Sequence, residues 1–547
     1  MRACLQSGRG GSVAKASASI RGARGHAILL GVGLGALLSA CAVGPNFKRP
    51  SLPAASGYTP GQGTLPPTAS AARVQSAPGA PGDLAATAAD QSAAQTFALG
   101  QRICAQWWAL FHSPALDALI QQAFQHNPSI DAAVAALRQA QEQVYAQQGF
   151  FFPTVQASYD AERQKLAGNV ATSAAPGAQG SGVVIAPAAP AQPVTYTFHT
   201  AQLTVSYAPD VFGLNRRQVE SLQAQADAAR YQLQAAYVTL ASNVVAAAIQ
   251  EAVTRAQIKA AHSIVDANGR SLEVLRGQFR LGAAMQLDVP AQEAALAQSR
   301  QLLPPLMKQL EQTRDLLRVL AGNAPDHDLS QTFTLDSLHL PTQLPLSLPS
   351  QLVDQRPDVR AAEAQVHVAS AGVGVALANR LPQFSISGAV GGQASQFDQM
   401  FWPSGIFWNV IGSAAGTLFD GGTLRHRQIA AEQALRQAQD EYRSTVLGAF
   451  QNVADSLHAL YADADALNAA LAAEQAARTA LDLTQKQLQA GYVGYLALLT
   501  AQQAYQQAVI TRVQAQGMRL GDTAALFQAL GGGWWNATGG SAGAGGS

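Results

Sequence analysis

The sequence predicts an α+β membrane protein in which one unit, strand–strand–long helix–hairpin–helix, occurs twice. Three observations carry this reading. Motifs recur in the same order at near-constant spacing. Asn127-Pro128-Ser129-Ile130-Asp131-Ala132-Ala133 precedes Phe152-Pro153 as Arg356-Pro357-Asp358-Val359-Arg360-Ala361-Ala362 precedes Leu381-Pro382, with 25 residues between the prolines each time (153 − 128 and 382 − 357). Asp210 with Arg217-Gln218-Val219 is echoed 210 residues later by Asp420 with Arg427-Gln428-Ile429. Phe279-Arg280-Leu281-Gly282 with Leu287 is echoed by Leu488-Gln489-Ala490-Gly491 with Leu496. The repeat of roughly 200 residues is far longer than a solenoid unit. The second observation is a period of two after each Phe-Pro or Leu-Pro. The third is a sustained heptad seam downstream of it.

The N-terminus sets the compartment. Arg21, Arg24 and His26 precede the apolar run Ala27–Leu38, and Leu38-Ser39-Ala40-Cys41 follows. A basic region, a short apolar core and a small-residue cleavage site make a secretory signal, too short for a comfortable transmembrane helix. The last four residues resemble a bacterial lipobox, which makes Cys41 the acylated mature N-terminus; an ordinary signal peptide with a chance cysteine is the alternative. Ala42 after it accompanies outer-membrane sorting in lipoproteins of this type. Residues 1–40 are thus assigned to the signal and 41–105 to a Pro/Ala/Gly/Ser-rich extended arm.

Repeat 1 is assigned to residues 106–325. Leu116, Leu119, Ile120 and Phe124 lie at helical spacing, and Asn127 before Pro128 is a good helix start. Pro153 ends that helix. Ala201, Leu203, Val205 and Tyr207 then alternate with Thr200, Gln202, Thr204 and Ser206, as one strand of a two-faced sheet requires. Strands are expected at about 154–163 and 195–209, joined by the Gly/Ala/Pro-rich loop 166–193. Helices follow at about 214–278 and 284–320, and Pro304-Pro305 should kink or divide the second. Residues 326–350 read as a linker or equatorial segment. Repeat 2 spans 351–530, with strands at about 383–392 and 406–418 and helices at about 424–489 and 495–529. Residues 531–547 form a glycine-rich tail. Phe401, Trp402 and Trp408 near strand ends suit a membrane-interface belt or a core.

The seam Val446, Phe450, Val453, Leu457, Leu460, Ala464, Leu467, Leu471 alternates steps of four and three, the coiled-coil pattern. Leu222, Ala226, Ala229, Leu233, Ala236 and Leu240 predict a weaker seam in the first long helix. Some 65 residues of helix extend roughly 95–100 Å.

Composition excludes several classes. The 35 basic and 34 acidic residues balance to a net charge of +1, which argues against a nucleic-acid partner. Charged residues make up 13% of the chain, low for a freely solvated surface and suited to closely packed helices. Of the three cysteines, Cys4 and Cys41 belong to the leader, so no disulfide framework exists; Cys104, beside Trp107-Trp108, is expected to be buried. The ten histidines are scattered, with no His-Glu-x-x-His and no phosphate loop outside the leader, so no enzyme and no metal site is expected.

Four amphipathic strands cannot close a membrane barrel, whose smallest single-chain form has about eight. Open edges are not tolerated in lipid. Either the strands do not span a membrane, or several chains pool them; three chains give twelve.

At this point motifs accumulate. Cys41-Ala42-Val43-Gly44-Pro45-Asn46-Phe47-Lys48-Arg49-Pro50, Arg356-Pro357-Asp358-Val359 with Ala362-Glu363, Leu418-Phe419-Asp420-Gly421-Gly422, and Ala529-Leu530-Gly531-Gly532-Gly533-Trp534 resemble the outer-membrane efflux lipoproteins of the TolC/NodT type. The resemblance runs from Cys41 to Trp535. It implies a homotrimer with a twelve-stranded β-barrel, a long α-helical barrel and an equatorial domain, lodged in outer-membrane lipid. It also implies a periplasmic adaptor protein and an inner-membrane transporter of the resistance–nodulation–division class as partners. No cofactor is implied beyond the lipid on Cys41.

The resemblance further implies an iris-like gate. Its adaptor-contact tips map to Gly282-Ala283-Ala284-Met285 and Gly491-Tyr492-Val493-Gly494. Its aperture maps to Leu496 and Thr500, where relatives commonly carry an apolar ring and an aspartate ring. Threonine for the acid implies closure by apolar packing at Leu496 and weak cation selectivity. Asp288 in the first hairpin either supplies acidity instead or is a plain surface residue. Two other readings stay open: a channel for type I protein secretion, and a lipid-anchored periplasmic coiled-coil scaffold with no pore.

Overall fold

The computed structural model describes residues 42–51, 57–59, 66–68, 93–101, 103–166 and 194–536. The leader, Cys41, the loop 167–193 and the tail beyond Asn536 lie outside these residues. The elements run β1 (Thr96–Leu99), α1 (Pro114–His126), α2 (Pro128–Gln148), β2 (Thr154–Leu166), β3 (Val194–Tyr207), α3 (Leu214–Arg280), α4 (Asp288–Gln301), α5 (Leu303–Leu320), β4 (Gln343–Leu346), α6 (Pro349–Gln355), α7 (Pro357–Ala378), β5 (Gln383–Ala394), β6 (Ile406–Ala415), α8 (Thr423–Gln489) and α9 (Tyr495–Ala529). The chain divides into two compact units. One draws on Met1–Pro45, Gln148–Gln218 and Gly374–Arg427, the other on the intervening stretches and the C-terminal part. The division cuts across the two sequence repeats, because each repeat contributes two strands to the first unit and its helices to the second.

The first unit is a four-stranded antiparallel sheet of order β2-β3-β5-β6. Carboxylates at the strand-to-helix turns start the long helices in both repeats. Asp210 accepts from the amides of Asn215 and Arg216 at 3.0 and 2.9 Å, and Asp420 from those of Gly422 and Leu424 at 2.8 and 2.7 Å. These fill donors that the first helical turn leaves unpaired. The amides of Leu424 and Gly422 hold the Asp420 carboxyl below its usual range.

The second unit is helical. Both α3 and α8 have 67 residues, roughly 100 Å of helix. The predicted seam of α8 is the buried one: Val446, Val453, Leu457, Leu460, Ala464 and Leu467 are all buried, with Phe450 and Leu471 packed at the margin. The seam predicted for α3 is displaced. Ala224, Ala228, Leu233, Leu240, Ala241, Val244 and Val245 are buried, whereas Leu222, Ala226, Ala229 and Ala236 are only half-buried. An alanine-rich stretch offers small residues on every face, so its pattern does not single out one stripe. One stretch of α3 is long and apolar enough to cross a membrane, yet 67% of it is buried inside the protein, as in a core helix. Pro304 and Pro305 divide the return helix of repeat 1 outright, sitting in the first turn of α5, where proline costs no hydrogen bond.

The core contains an aromatic nucleus: Trp107 stacks on Phe527 with centroids 5.4 Å apart and meets Trp108 and Phe111 edge-on. Cys104 is exposed, contrary to the burial expected from its neighbours. It lies in the turn before Trp107, where Ile103 and Trp107 take the inward positions. Residues 326–350 are a packed part of the core rather than a loose link. Leu329, Phe333, Leu338, Leu344 and Leu346 are buried, and β4 pairs in parallel with β1 of the arm.

The duplication extends to how the return helices are tied. Asn127 Nδ2 donates to the carbonyl of Leu320 at the end of α5 (2.9 Å). Arg356 Nη1 donates to the carbonyl of Ala529 at the end of α9 (2.9 Å) and grips Asp358 through two bonds. Trp534 Nε1 donates to Gln355 (2.7 Å), so the Arg-Pro-Asp and Gly-Gly-Gly-Trp motifs pack on each other.

Candidate functional site

Alternation sorts the sheet into two chemically different faces. The cross-strand rows Val155–Val205–Gly388–Val410, Ala157–Leu203–Val390–Trp408 and Tyr159–Ala201–Gly392–Ile406 share one face with Tyr207–Ile386–Gly412 and Phe384–Ala414. Every residue in these rows is apolar, glycine or aromatic. The opposite face carries Thr154–Ser206–Ser387, Gln156–Thr204–Ala389–Asn409, Ser158–Gln202–Gly391 and Asp160–Thr200–Gln393; Phe407 and Ile411 of β6 are its apolar exceptions. The apolar face lies open, with Trp408 75%, Val410 70% and Val155 65% exposed. A continuous exposed apolar surface of this size marks contact with a partner or with lipid. The strands β2 and β6 are the sheet's edges.

The arm meets this unit through backbone. Val43 donates to the carbonyl of Phe212 (3.1 Å), and buried Arg217 donates to the carbonyls of Val43 and Gly44 at 3.1 and 3.2 Å. A Cβ on Gly44 would stand 2.5 Å from Cα of Gly374, so this close approach requires glycine. Cys41, the expected acylation site, is the residue before this seat and lies outside the described residues.

In the helical unit, both hairpin turns have the same build. Gly282 and Gly491 have φ of +75° and +74°, which side-chain-bearing residues rarely adopt. Gly282 and Ala283 donate to Phe279 and Gln278 at 3.0 and 2.8 Å; Gly491 and Tyr492 donate to Leu488 and Gln487 at 3.0 and 2.9 Å. Each is a Schellman cap that reverses the chain. Around the first turn Leu281, Met285 and Leu287 are 86%, 74% and 77% exposed, and around the second Tyr492 is 83% exposed. Ala284 and Val493 are half-buried, and Gly494 caps the start of α9.

Helix α9 presents two faces near its start. Leu498 and Gln502 are buried, and Gln502 donates to Ser271 of α3 at 3.4 Å. Tyr495 and Leu498 line a cavity of about 950 Å³ between α3, α8 and α9, into which Lys259, Arg270 and the Arg512–Glu474 ion pair (2.5 Å) also face. Leu496 and Thr500 lie on the other side, with Leu496 73% exposed. The Thr500 hydroxyl donates to the carbonyl of Leu496 at 3.0 Å, so its proton is spent within the helix. Asp288 accepts from the Met285 amide (3.0 Å), which makes it the organiser of the first hairpin. Its charge also reaches Tyr495, whose hydroxyl is pushed up to about 12, first by burial and then by Asp288.

Sequence reasoning missed a polar cluster under the arm. Arg519 of α9 is 1% exposed and donates to the carbonyl of Ala93 (2.6 Å) and to Thr68 (3.3 Å). Gln95, fully buried, donates to Pro341 and Thr523, both at 3.1 Å. Asp463 of α8 faces Asp522 and Arg519. A second clasp joins Arg49 to Asp354 and to Glu363 (3.2 Å), with Phe47 stacked on His367 at 4.4 Å. An arginine inside the small and apolar run Val513–Phe527 was the one available signal. Among the described residues no group of three or more His, Cys, Asp or Glu is placed to hold a metal.

The family model described as outer membrane efflux protein matches residues 119–323 and 348–532, more than half of the chain. The chain belongs to the outer membrane efflux protein family. It is 30% identical over 430 residues to the pyoverdine export outer membrane protein OpmQ of Pseudomonas putida, covering 78% of this chain and 88% of that one. It is 25% identical over 506 residues to the probable efflux pump outer membrane protein TtgC of the same species, covering 92% and 95%. The outer-membrane channel OprN superposes with a TM-score of 0.74 at 26% identity, over 90% of this chain and all of that one. The family is one of outer-membrane channel proteins, and the outer membrane is where this protein works.

Proposed function

We propose that this protein is the exit duct of a tripartite efflux pump. Three copies pool their strands into a twelve-stranded barrel continued by an α-helical barrel. Small molecules pass through it passively, from a periplasmic adaptor and an inner-membrane transporter of the resistance–nodulation–division class to the exterior. The single observation that carries this is the sheet: four strands with one unbroken apolar face and two unpaired edges. Lipid accommodates the face, and only closure removes the edges. Four strands close into a barrel when copies combine. The wet face then lines the duct.

The acyl chain on Cys41 adds an anchor beside the sheet. The tips at Gly282–Met285 and Gly491–Gly494 meet the adaptor, and Leu496 with Thr500 forms the aperture. Relatives named for export of pyoverdine and toluene favour small-molecule cargo over secreted protein. Reconstitution in planar bilayers tests the reading: heat-modifiable trimers that conduct support it, and a purely helical species without conductance favours the pore-less scaffold.

A further inference from the structure

Strands β2 and β3 outrun the rest of the sheet. The last row shared with β5 is Ala161–His199–Ala394, and beyond it the two strands continue alone as far as Leu166 and Val194. On the face that is apolar below, this ribbon changes character. Its next two rows are Arg163–Thr197 and Lys165–Thr195. Both cations are exposed, and neither has an ion pair or hydrogen bond to any described residue. The neighbouring acids, Asp160 and Glu162, alternate onto the opposite face and leave these charges uncompensated.

Height matters here. Along β5 the apolar rows begin at Phe384. An apolar band about 25 Å tall, crossed by strands tilted about 40° that rise about 3.4 Å per residue, uses roughly ten residues. Ten residues on from Phe384 is Ala394, the row of Ala161 and His199. That row is marked by aromatic side chains: the Tyr159 hydroxyl bonds His199 Nδ1 at 2.9 Å, and Phe397 stands edge-on to both rings at 5.9 and 6.2 Å. Such a belt sits where hydrocarbon ends. Arg163 is in the first row above it, where lipid phosphates lie. The ribbon end is also the strand end opposite the one that joins the helices, so it faces outward.

We propose that Arg163 and Lys165, with the hydroxyls of Thr195 and Thr197, bind the phosphates of lipopolysaccharide in the outer leaflet. Two cations and two hydroxyls on one flat face suit the paired phosphates of a glycolipid better than the single phosphate of a phospholipid. The inference rests on the barrel reading above.

The test uses the full-length protein in mild detergent, titrated with rough-chemotype lipopolysaccharide, its dephosphorylated form, and phosphatidylglycerol, with Trp402 and Trp408 as fluorescent reporters. Phosphorylated lipopolysaccharide should bind the wild type roughly 10- to 30-fold more tightly than Arg163→Gln/Lys165→Gln, as two cations near an anionic surface imply. Dephosphorylated lipid should bind both proteins alike. The opposite-face variant Asp160→Asn/Glu162→Gln should behave as wild type, which controls for folding. Equal binding by wild type and the cation variant, or full displacement by phosphatidylglycerol, overturns the proposal. Planar-bilayer conductance separates the two failures: a wild type that conducts while the variants bind alike refutes this inference alone, and one that never conducts refutes the barrel reading.

Discussion

Gly282 and Gly491, 209 residues apart (491 − 282), end the two long helices with the same pair of hydrogen bonds and nearly the same φ, +75° and +74°. The two turns therefore share one backbone and differ in what they display, Ala284-Met285 against Tyr492-Val493. Gly322 and Gly531 repeat the relationship at the ends of α5 and α9, again 209 residues apart (531 − 322).

Valine at Gly491 forces a β-branched residue into the left-handed region, at a local cost of about 1–2 kcal/mol. Amides of the second tip should exchange faster with solvent in Gly491→Val, while the thermal midpoint of the assembly stays unchanged. Unaltered exchange at Tyr492 and Val493 contradicts this.

The aperture prediction turns on Thr500. With its hydroxyl committed to Leu496, it offers neither charge nor a free proton. Thr500→Asp should introduce both cation selectivity and block by divalent cations from the periplasmic end, which the wild type lacks. Leu496→Ala should raise basal conductance. Single-channel recording reads each; a wild type strongly blocked by divalent cations refutes the apolar gate.

A pH dependence follows from Asp463. Burial, then the hydrogen bond and charge of Asp522, push its carboxyl from 3.8 up to about 7, against the pull of Arg519. Asp463 Oδ2 is buried with no donor from the described residues, so a bond to Asp522 needs a shared proton. The folded state holds that proton more tightly than the unfolded one. The stability it contributes is therefore complete below about pH 4 and is lost as pH rises towards 7. Asp463→Asn keeps a donor at every pH and should flatten the profile of thermal midpoint against pH between 4 and 7. An unchanged slope in that variant shows that the pair is not the source.

Much of this was legible because period two is unforgiving. A single-residue slip would have put Gln202 and Thr204 in lipid, so the faces of β3 and β5 could be assigned from residues alone. The α8 seam was legible because its leucines and valines are large. In α3 alanine recurs on every side, and burial there is decided by which neighbours lie close, which no single sequence shows. Gln95 and Arg519 were invisible for another reason: polar residues in a Pro/Ala-rich arm and in a helix read as surface until a partner is seen. Cys104 misled because its tryptophan neighbours are buried and it is not.

Position within the membrane sets a further contrast between adjacent residues. Val410 lies in the middle apolar row and Asn409 on the wet face. Val410→Arg should cost about 2–4 kcal/mol and abolish heat-modifiable assemblies in outer-membrane extracts. Asn409→Arg should assemble normally and alter ion selectivity. Equal tolerance of both substitutions contradicts a lipid-facing surface.

The pooling of strands is tested most directly at the sheet's two edges. In the closed barrel β2 of one copy pairs with β6 of the next, and with nothing else. A cysteine at Ala157 of β2, combined in turn with single cysteines from Ile406 to Ala414 of β6 on a Cys104→Ser background, should form disulfides in intact outer membranes. The products on a non-reducing gel should stop at three chains. Absence of any crosslink across the series, or a ladder that stops at two or runs beyond three, would contradict a twelve-stranded trimer.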